Sequence, residues 1–257
     1  MSWYDIDKID NKTYVLSENR HWHEFNTYYL IGEKYNLVID CGIGLHSIKN
    51  VLKDIDDKKM RLVLTHMHWD HIGNIKEFDN IYLSQKGNYY LKNGIKMPIE
   101  RVRKLLVRNL KEEDIPDDFD IENYYIETSD KGNIVKDGYE FDLGNRIIEV
   151  IDTPGHTDHH ISLYDHKNKY FFSGDLLYKG PLFLNADYID LDKYFTSLHK
   201  IIHNYDQAEK ILISHGKPEL EIKYLKDIYK FILKLKEKGE YKKGNKVKTW
   251  RDYKIYL

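Results

Sequence analysis

The stretch Thr65-His66-Met67-His68-Trp69-Asp70-His71 decides how the rest of the chain is interpreted. Three histidines and one aspartate fall within six residues, directly after the apolar run at residues 62–64. A buried strand that ends in so many nitrogen and oxygen donors is hard to explain by packing, because imidazole and carboxylate are the ligands that zinc and similar divalent metals prefer. The stretch therefore predicts a metal-binding loop at the end of a β-strand.

Further candidate ligands follow three later apolar runs, and each has a glycine or proline beside it that permits a tight turn. The full candidate set is His66, His68, Asp70, His71, His156, Asp175 and His215. Functional residues gather on loops at one edge of a rigid sheet. Seven protein ligands are too many for one tetrahedral or five-coordinate ion, whereas two ions that share a carboxylate can use all of them.

Composition indicates a globular enzyme with no general attraction for nucleic acid. The 257 residues are 41% hydrophobic and 32% charged, and the net charge is −2. The one cysteine, Cys41, excludes an internal disulfide and any zinc site with several thiolates. The N-terminal residues show neither a signal peptide nor a membrane span, so we expect a cytoplasmic protein.

The chain alternates strands with helices in two halves, which predicts an α/β sandwich of two sheets with helices outside. We expect a single domain over residues 1–257, with a helical insertion at 85–122 and a basic C-terminal tail at 237–257. Residues 230–257 contain ten Lys/Arg against three Asp/Glu, which favours a solvated helix end, with contact to glutathione, coenzyme A, nucleotide or RNA as the alternative. Arg101, Arg103 and Arg108 in the insertion are interpreted as a solvated helix face, with contact to an anionic substrate tail as the alternative.

Several motifs, taken in their order along the chain, resemble the signature of the metallo-β-lactamase-fold hydrolases. The motifs are Asp40-Cys41-Gly42, His66-x-His68-x-Asp70-His71, Thr153-Pro154-Gly155-His156-Thr157, Gly174-Asp175, Asp190-x-x-x-Tyr194-x-x-Ser197-Leu198 and Ser214-His215-Gly216. The resemblance spans roughly residues 13–218. It implies a four-layer αββα sandwich with a two-metal site at its edge, and the pattern is closest to hydroxyacylglutathione hydrolases and lactonases.

The resemblance also assigns the ligands. It implies that His66, His68 and His156 hold one metal, that Asp70, His71 and His215 hold the second, and that Asp175 bridges them. Zinc is the expected metal for both ions, with iron and manganese as alternatives. The best-known β-lactamases of this fold carry a cysteine at the position of Asp175, which argues against antibiotic hydrolysis. The flavin-linked di-iron members carry an acidic residue at the position of His68, which argues against that redox role.

The prediction is a dinuclear metal-dependent hydrolase that uses a metal-bridging hydroxide on an ester, thioester or lactone. Asp70 helps to orient the hydroxide, and Tyr178 and Tyr188 are candidate hydrogen-bond donors in catalysis. A phosphodiesterase or nuclease of the same fold and a mononuclear-iron sulfur dioxygenase remain alternatives. The expected partner is a small-molecule substrate, with no membrane or nucleic-acid partner, and a homodimer remains open.

The sequence leaves open the roles of two other groups of histidines. His160 is either a residue that orients a ligand or an exposed strand residue. His21-Trp22-His23 is interpreted as a loop at the rim of the site without a metal role.

Overall fold

The computed structural model describes residues 2–244 and 246–257 and divides the chain into two compact units. The first unit comprises residues 1–135 and 141–147, and the second comprises residues 136–140 and 148–257. Met1 and Asn245, which the predicted ranges 1–257 and 237–257 include, lie outside the described residues. The single domain stays a prediction.

The first unit contains a mixed sheet of seven strands whose order in space is their order in the chain. The strands are β1 (Asp5–Asp10), β2 (Thr13–Glu18), β3 (Phe25–Leu30), β4 (Asn36–Ile39), β5 (Met60–Val63), β6 (Ile81–Ser84) and β7 (Gly132–Val135). Strands β1 to β4 pair antiparallel, and β4 to β7 pair parallel. Every residue of β3 and β4 is buried.

Three helices connect the parallel strands of this sheet. They are α1 (Lys49–Ile55), α2 (Gln85–Asn93) and α3 (Ile99–Leu106). The start of α1 is set by Glu77, whose Oε2 accepts hydrogen bonds from the backbone of Ile48 and Lys49 at 3.1 and 2.8 Å. A carboxylate at a helix N-terminus satisfies amide groups that lack partners inside the helix.

The predicted helical insertion at 85–122 is helical in its first part. Helices α2 and α3 lie there, and only a short 3-10 turn at Glu112–Asp114 follows them. Helix α3 ends at Leu106, and three residues later Asn109 has a left-handed backbone with φ of 58°. Asparagine tolerates this conformation better than most residues.

The second unit contains most of a six-stranded sheet with the order β14-β13-β11-β10-β9-β8. Its strands are β8 (Glu140–Asp142), β9 (Ile147–Asp152), β10 (Ile161–Asp165), β11 (Tyr170–Gly174), β13 (Lys210–Ile213) and β14 (Glu219–Leu220). Strand β10 pairs antiparallel with β9 and with β11, and β11 pairs parallel with β13. The C-terminal ends of β9, β11 and β13 therefore lie at one edge of the sheet.

The predicted basic tail is partly a folded hairpin. Strands β15 (Val247–Trp250) and β16 (Tyr253–Tyr256) pair antiparallel, and β16 also pairs with β12 (Leu182–Phe183). The hairpin follows helices α4 (Leu191–Asn204) and α5 (Ile222–Glu237). Its Ile255 is fully buried and belongs to the core of the second unit, which a count of the tail's charges does not reveal.

Each unit has its own hydrophobic core. The first core includes Leu16, Phe25 and Leu62, and the second includes Phe171, Leu198 and Ile213. Within residues 2–244 and 246–257, no helix combines the length and apolar character that crossing a bilayer requires.

Candidate metal centre

In the first unit, the parallel pairing of β4 with β5 brings Asp40 beside the histidine stretch. Ile39 pairs with Val63, so the residues that follow the two strands meet at one edge. Asp40 Oδ1 accepts a hydrogen bond from the backbone N–H of Thr65 at 2.7 Å, and Oδ2 accepts from Thr65 Oγ1 at 2.8 Å. Asp40 adopts a left-handed backbone with φ of 57°, which aspartate tolerates better than most residues.

The same Asp40 carboxylate fixes the imidazole of His71. His71 Nδ1 donates to Asp40 Oδ2 at 2.8 Å, and both side chains are at most 1% exposed. Because Nδ1 carries the proton in this hydrogen bond, Nε2 has the lone pair that a metal requires. The pair therefore prepares His71 as an Nε2 ligand.

The other donors of the stretch gather around His71. The His66 ring centroid lies 4.0 Å from that of His71 and 4.4 Å from that of His68. Asp70 Oδ2 lies 3.6 Å from His71 Nε2. His66, Asp70 and His71 are buried, whereas His68 is half-buried. The first unit thus brings together all four of its predicted ligands.

Glycine allows this loop to lie directly against the segment after β4. A Cβ atom on Gly73 would lie 2.1 Å from the backbone carbonyl carbon of Ile43. Any other residue at this position would therefore force the backbone to shift. The Gly73 N–H donates to the Gly42 carbonyl at 2.8 Å, and Asn74 Nδ2 donates to the Cys41 carbonyl at 3.0 Å. These contacts hold the loop close to Asp40.

In the second unit, the Asp175 carboxylate lies between two predicted histidine ligands. Asp175 Oδ1 lies 3.1 Å from His215 Nε2, and Asp175 Oδ2 lies 3.5 Å from His156 Nε2. These residues follow β11, β13 and β9, whose ends share one edge of the sheet. Each carboxylate oxygen thus has a different imidazole beside it.

His160 supports this group from within the protein, so the exposed alternative is wrong. It is 1% exposed, and its Nε2 accepts a hydrogen bond from the backbone N–H of Asp175 at 3.2 Å. Its Nδ1 then carries the proton and donates to Thr153 Oγ1 at 2.9 Å. His160 therefore links the turn that carries Asp175 to the turn that carries His156.

Helix α4 braces the turn at residues 153–157. The Asp190 N–H donates to the Gly155 carbonyl at 2.9 Å, and Ser197 Oγ donates to the Pro154 carbonyl at 2.6 Å. Gly155 has φ of 143°, and a Cβ atom there would lie 2.3 Å from Tyr194 Cα. The spacing of Asp190, Tyr194 and Ser197 in the sequence is thus explained by contacts with the turn that holds His156.

The two candidate tyrosines differ in their surroundings. The Tyr188 ring is 58% exposed, and its centroid lies 6.1 Å from that of His156. Tyr178 is half-buried, and its hydroxyl accepts a hydrogen bond from the Phe183 N–H at 2.7 Å. Burial raises the pKa of Tyr178, so its hydroxyl stays protonated and able to donate. Their catalytic roles stay predictions.

One polar contact of the metal loop was not predicted from the sequence. His23 Nε2 lies 3.1 Å from Asp70 Oδ2, so the segment His21-Trp22-His23 reaches a predicted ligand. The His-x-His spacing was the available signal, but spacing alone does not place this segment beside the loop. Candidate metal ligands are therefore present in both units, and in each unit neighbouring residues orient some of them.

Known proteins resemble this chain in sequence. The family model described as the metallo-beta-lactamase superfamily matches residues 23–215. Acyl-coenzyme A thioesterase MBLAC2 of Homo sapiens is 25% identical over 231 residues, which cover 84% of this chain and 82% of that protein. Hydroxyacylglutathione hydrolase GloC of Haemophilus influenzae is 26% identical over 156 residues, covering 58% of this chain and 65% of that protein.

A solved structure of a metallo-beta-lactamase from Pontibacter korlensis shares the fold. It matches with a TM-score of 0.65 at 17% sequence identity and covers 88% of this chain and 97% of that one. Together with the family model, this match confirms the predicted α/β fold class.

Proposed function

The chain belongs to the metallo-β-lactamase superfamily, and from this premise we propose that it is a dinuclear metal-dependent hydrolase of acyl thioesters. Its relatives named above are hydrolases, which confirms the predicted enzyme class. His66, His68 and His156 would hold one ion, Asp70, His71 and His215 would hold the other, and Asp175 would bridge them.

The observation that carries the dinuclear proposal is the position of Asp175. Its two oxygens lie beside two different imidazoles, at 3.1 Å from His215 Nε2 and 3.5 Å from His156 Nε2. A carboxylate that binds a single ion together with both histidines has no need to divide its oxygens in this way. The division fits a ligand that serves one ion through each oxygen.

The donors also fit the proposed metal. Neutral imidazole nitrogens and carboxylate oxygens suit zinc, iron and manganese. His71 is already held in the tautomer that exposes Nε2. Two such ions would generate a nucleophile from water at neutral pH and polarise the substrate carbonyl. Among the residues of the chain, Asp70 would orient the attacking water as well as bind metal.

Tyr188 is the better placed of the two tyrosines for contact with a substrate. It is exposed beside His156, whereas the Tyr178 hydroxyl already accepts a hydrogen bond from the backbone. We assign Tyr188 to binding the substrate carbonyl or leaving group, and Tyr178 to supporting the segment around it. Hydrolysis adds water across the C–S bond and releases a carboxylic acid and a thiol.

The thioester class rests on the relatives rather than on the metal ligands. Acyl-coenzyme A and hydroxyacylglutathione, named in two relatives, are both thioesters. β-Lactam hydrolysis receives less support, since Cys41 is fully buried and its thiol donates to the His71 carbonyl at 3.3 Å. Burial also raises the pKa of Cys41, which keeps it a thiol. A reduced, buried cysteine accords with the proposed cytoplasmic location.

Metal analysis combined with a substrate panel tests the proposal. We expect two metal ions per chain and release of free thiol from acyl thioesters at a higher kcat/KM than for oxygen esters, lactones, β-lactams or phosphodiesters. Asp175→Asn should lower the bound metal to one ion or none, because an amide cannot supply two anionic oxygens. Asp158→Asn is the matched control, since Asp158 is exposed and pairs with His159 at 3.0 Å.

Two results would contradict the proposal. A single iron with oxygen uptake would favour the dioxygenase alternative. Efficient phosphodiester cleavage without thiol release would favour the phosphodiesterase alternative.

A further inference from the structure

The segment His21-Trp22-His23 caps the end of helix α3 in the insertion. His21 Nε2 lies 3.3 Å from the Leu105 carbonyl oxygen and 3.2 Å from that of Leu106. Trp22 Nε1 donates to the Leu105 carbonyl at 2.9 Å. The last carbonyls of a helix lack partners inside it, so donors from another segment stabilise the helix end. These hydrogen bonds therefore join the segment to the end of α3.

The hydrogen bonds of His21 define its protonation state. Its Nδ1 accepts from the His23 backbone N–H at 3.2 Å, which leaves the proton on Nε2 for the carbonyls of α3. Burial lowers the pKa of His21 to about 4, so this neutral tautomer persists at physiological pH. His21 thus connects α3 to the backbone of His23.

His23 contacts the predicted metal-binding loop at residues 65–71, which is called the metal loop below. Its ring centroid lies 4.6 Å from that of Trp22 and 5.9 Å from that of Trp69, with the Trp69 ring stacked at 19°. Its Nε2 lies 3.1 Å from Asp70 Oδ2, in a pair whose side chains are 32% and 3% exposed. Trp69 precedes Asp70 directly, so His23 contacts the loop at two consecutive residues.

We propose that His23 is a positioning residue for Asp70 and that the segment His21-Trp22-His23 couples the helical insertion to the metal loop. This inference rests on the proposed function, because it takes Asp70 to be a metal ligand. A polar group 3.1 Å from one carboxylate oxygen restricts rotation of that group, and side chains placed in this way commonly affect the affinity of a metal site. The insertion thereby supports the site, although we assign no metal ligand to it.

The proposed coupling agrees with the order of contacts along the segment. His21 and Trp22 contact the end of α3, and His23, the next residue, lies beside the Asp70 carboxylate. A shift of α3 would move the imidazole relative to Asp70, because the His23 N–H is hydrogen-bonded to His21. The aromatic contacts with Trp22 and Trp69 keep the His23 ring from turning away.

Zinc affinity of three variants tests the proposal. His23→Leu removes the polar group beside Asp70, whereas His23→Gln retains an N–H group on a side chain of similar reach. His166→Leu is the matched control, because His166 Nε2 pairs with Glu149 at 2.8 Å and touches no predicted ligand. Competition with a chromophoric chelator measures the dissociation constants of both zinc ions, and circular dichroism of the metal-free proteins verifies the fold.

We expect His23→Leu to weaken the binding of one zinc ion by about 10-fold to 100-fold. His23→Gln should remain within a few-fold of the unmodified protein, and His166→Leu should be unchanged. Trp22→Phe, which keeps the ring but removes the donor to Leu105, should weaken the same ion to a smaller extent. With thioester substrate, kcat should fall in His23→Leu while KM changes little.

Two results would overturn the inference while leaving the proposed function intact. One is a His23→Leu variant that binds both zinc ions with unchanged affinity. The other is a His23→Gln variant as weak as His23→Leu, which would mean that the imidazole itself, rather than a polar group beside Asp70, is required. By contrast, absence of zinc binding in the unmodified protein would contradict the proposed function itself.

Discussion

Asp40→Asn should separate the orientation of His71 from the stability of the fold. The carboxylate accepts three hydrogen bonds, from the Thr65 N–H, the Thr65 hydroxyl and His71 Nδ1, at 2.7, 2.8 and 2.8 Å. Asparagine tolerates the left-handed backbone at this position, whereas alanine would add strain. The amide oxygen can still accept from the Thr65 N–H, which leaves the amide N–H₂ facing His71 and the Thr65 hydroxyl.

In the Asp40→Asn variant, the amide N–H₂ would face two other donors, and both of these can become acceptors at a modest cost in folding stability. The Thr65 hydroxyl can rotate to accept, and His71 can shift its proton to Nε2 so that Nδ1 accepts. Replacing charge-assisted hydrogen bonds by neutral ones should lower the free energy of unfolding by about 1–2 kcal/mol. A domain with a stability of about 5–15 kcal/mol remains folded after such a loss.

Asp40→Asn should weaken metal binding more than the small loss of folding stability suggests. With the proton on Nε2, His71 no longer offers a lone pair at the ligand position. We expect about a 10-fold to 100-fold loss of affinity for one metal ion, which corresponds to about 1.4–2.8 kcal/mol. Activity on a thioester should fall with the occupancy of that ion.

Two measurements check this prediction. Long-range ¹⁵N–¹H NMR of the metal-free protein should show His71 changing from the Nδ1–H to the Nε2–H tautomer, and chelator competition should show the weakened ion. Asp165→Asn is the control, because Asp165 is a buried aspartate that accepts from the backbone of Lys167 and Asn168. An Asp40→Asn protein that keeps the Nδ1–H tautomer and its metal affinity would refute the reasoning.

Three further predictions concern pH, backbone geometry and metal removal. Burial raises the pKa of Glu18 from 4.5 to about 7, so the folded state keeps a proton that the unfolded state has released. The free energy of unfolding should therefore fall by up to about 3 kcal/mol as pH rises from about 4.5 to about 7. Urea unfolding at pH 5 and pH 8 measures this fall, which should be smaller in Glu18→Gln. Gly155→Ala should destabilise the protein by about 1–3 kcal/mol more than Gly138→Ala. Both glycines have positive φ, but only Gly155 lies against the Tyr194 backbone. Equal melting temperatures of the two variants would contradict this prediction. Removing metal held at about 100 times its Kd should cost about 2.7 kcal/mol and lower the melting temperature by about 5–11 °C, which thermal unfolding with and without chelator measures.

The sequence was sufficient to predict the strands that carry the ligands. The apolar run at residues 62–64 contributes its first two residues to β5, and the later apolar runs before His156, Asp175 and His215 form β9, β11 and β13. These segments have a strong apolar pattern with turn residues at their ends. Strands β1 and β16 were not predicted, because β1 is largely exposed and charged and β16 lies in a segment rich in lysine.

The residues that support the ligands were harder to identify than the ligands. Asp40 lies 31 positions before His71, and Ser197 lies 43 positions after Pro154. Histidine and aspartate side chains at strand ends indicate metal binding through their own chemistry. A supporting residue is defined by a contact across such distances in sequence, so His23 and His160 could be assigned only from the structure.

The two units support their predicted ligands by different means. In the first unit, side chains lie directly against the ligand side chains: Asp40 accepts a hydrogen bond from His71, and His23 Nε2 lies 3.1 Å from Asp70 Oδ2. In the second unit, the contacts fix the backbone beside the ligands, as His160 accepts from the Asp175 N–H and Ser197 binds the Pro154 carbonyl. Loss of a contact of the first kind frees a side chain to rotate, whereas loss of the second kind disturbs a turn that closes a sheet edge. Substitutions at Asp40 and His23 should therefore reduce metal affinity more than stability, whereas substitutions in the turn around Gly155 should reduce stability first.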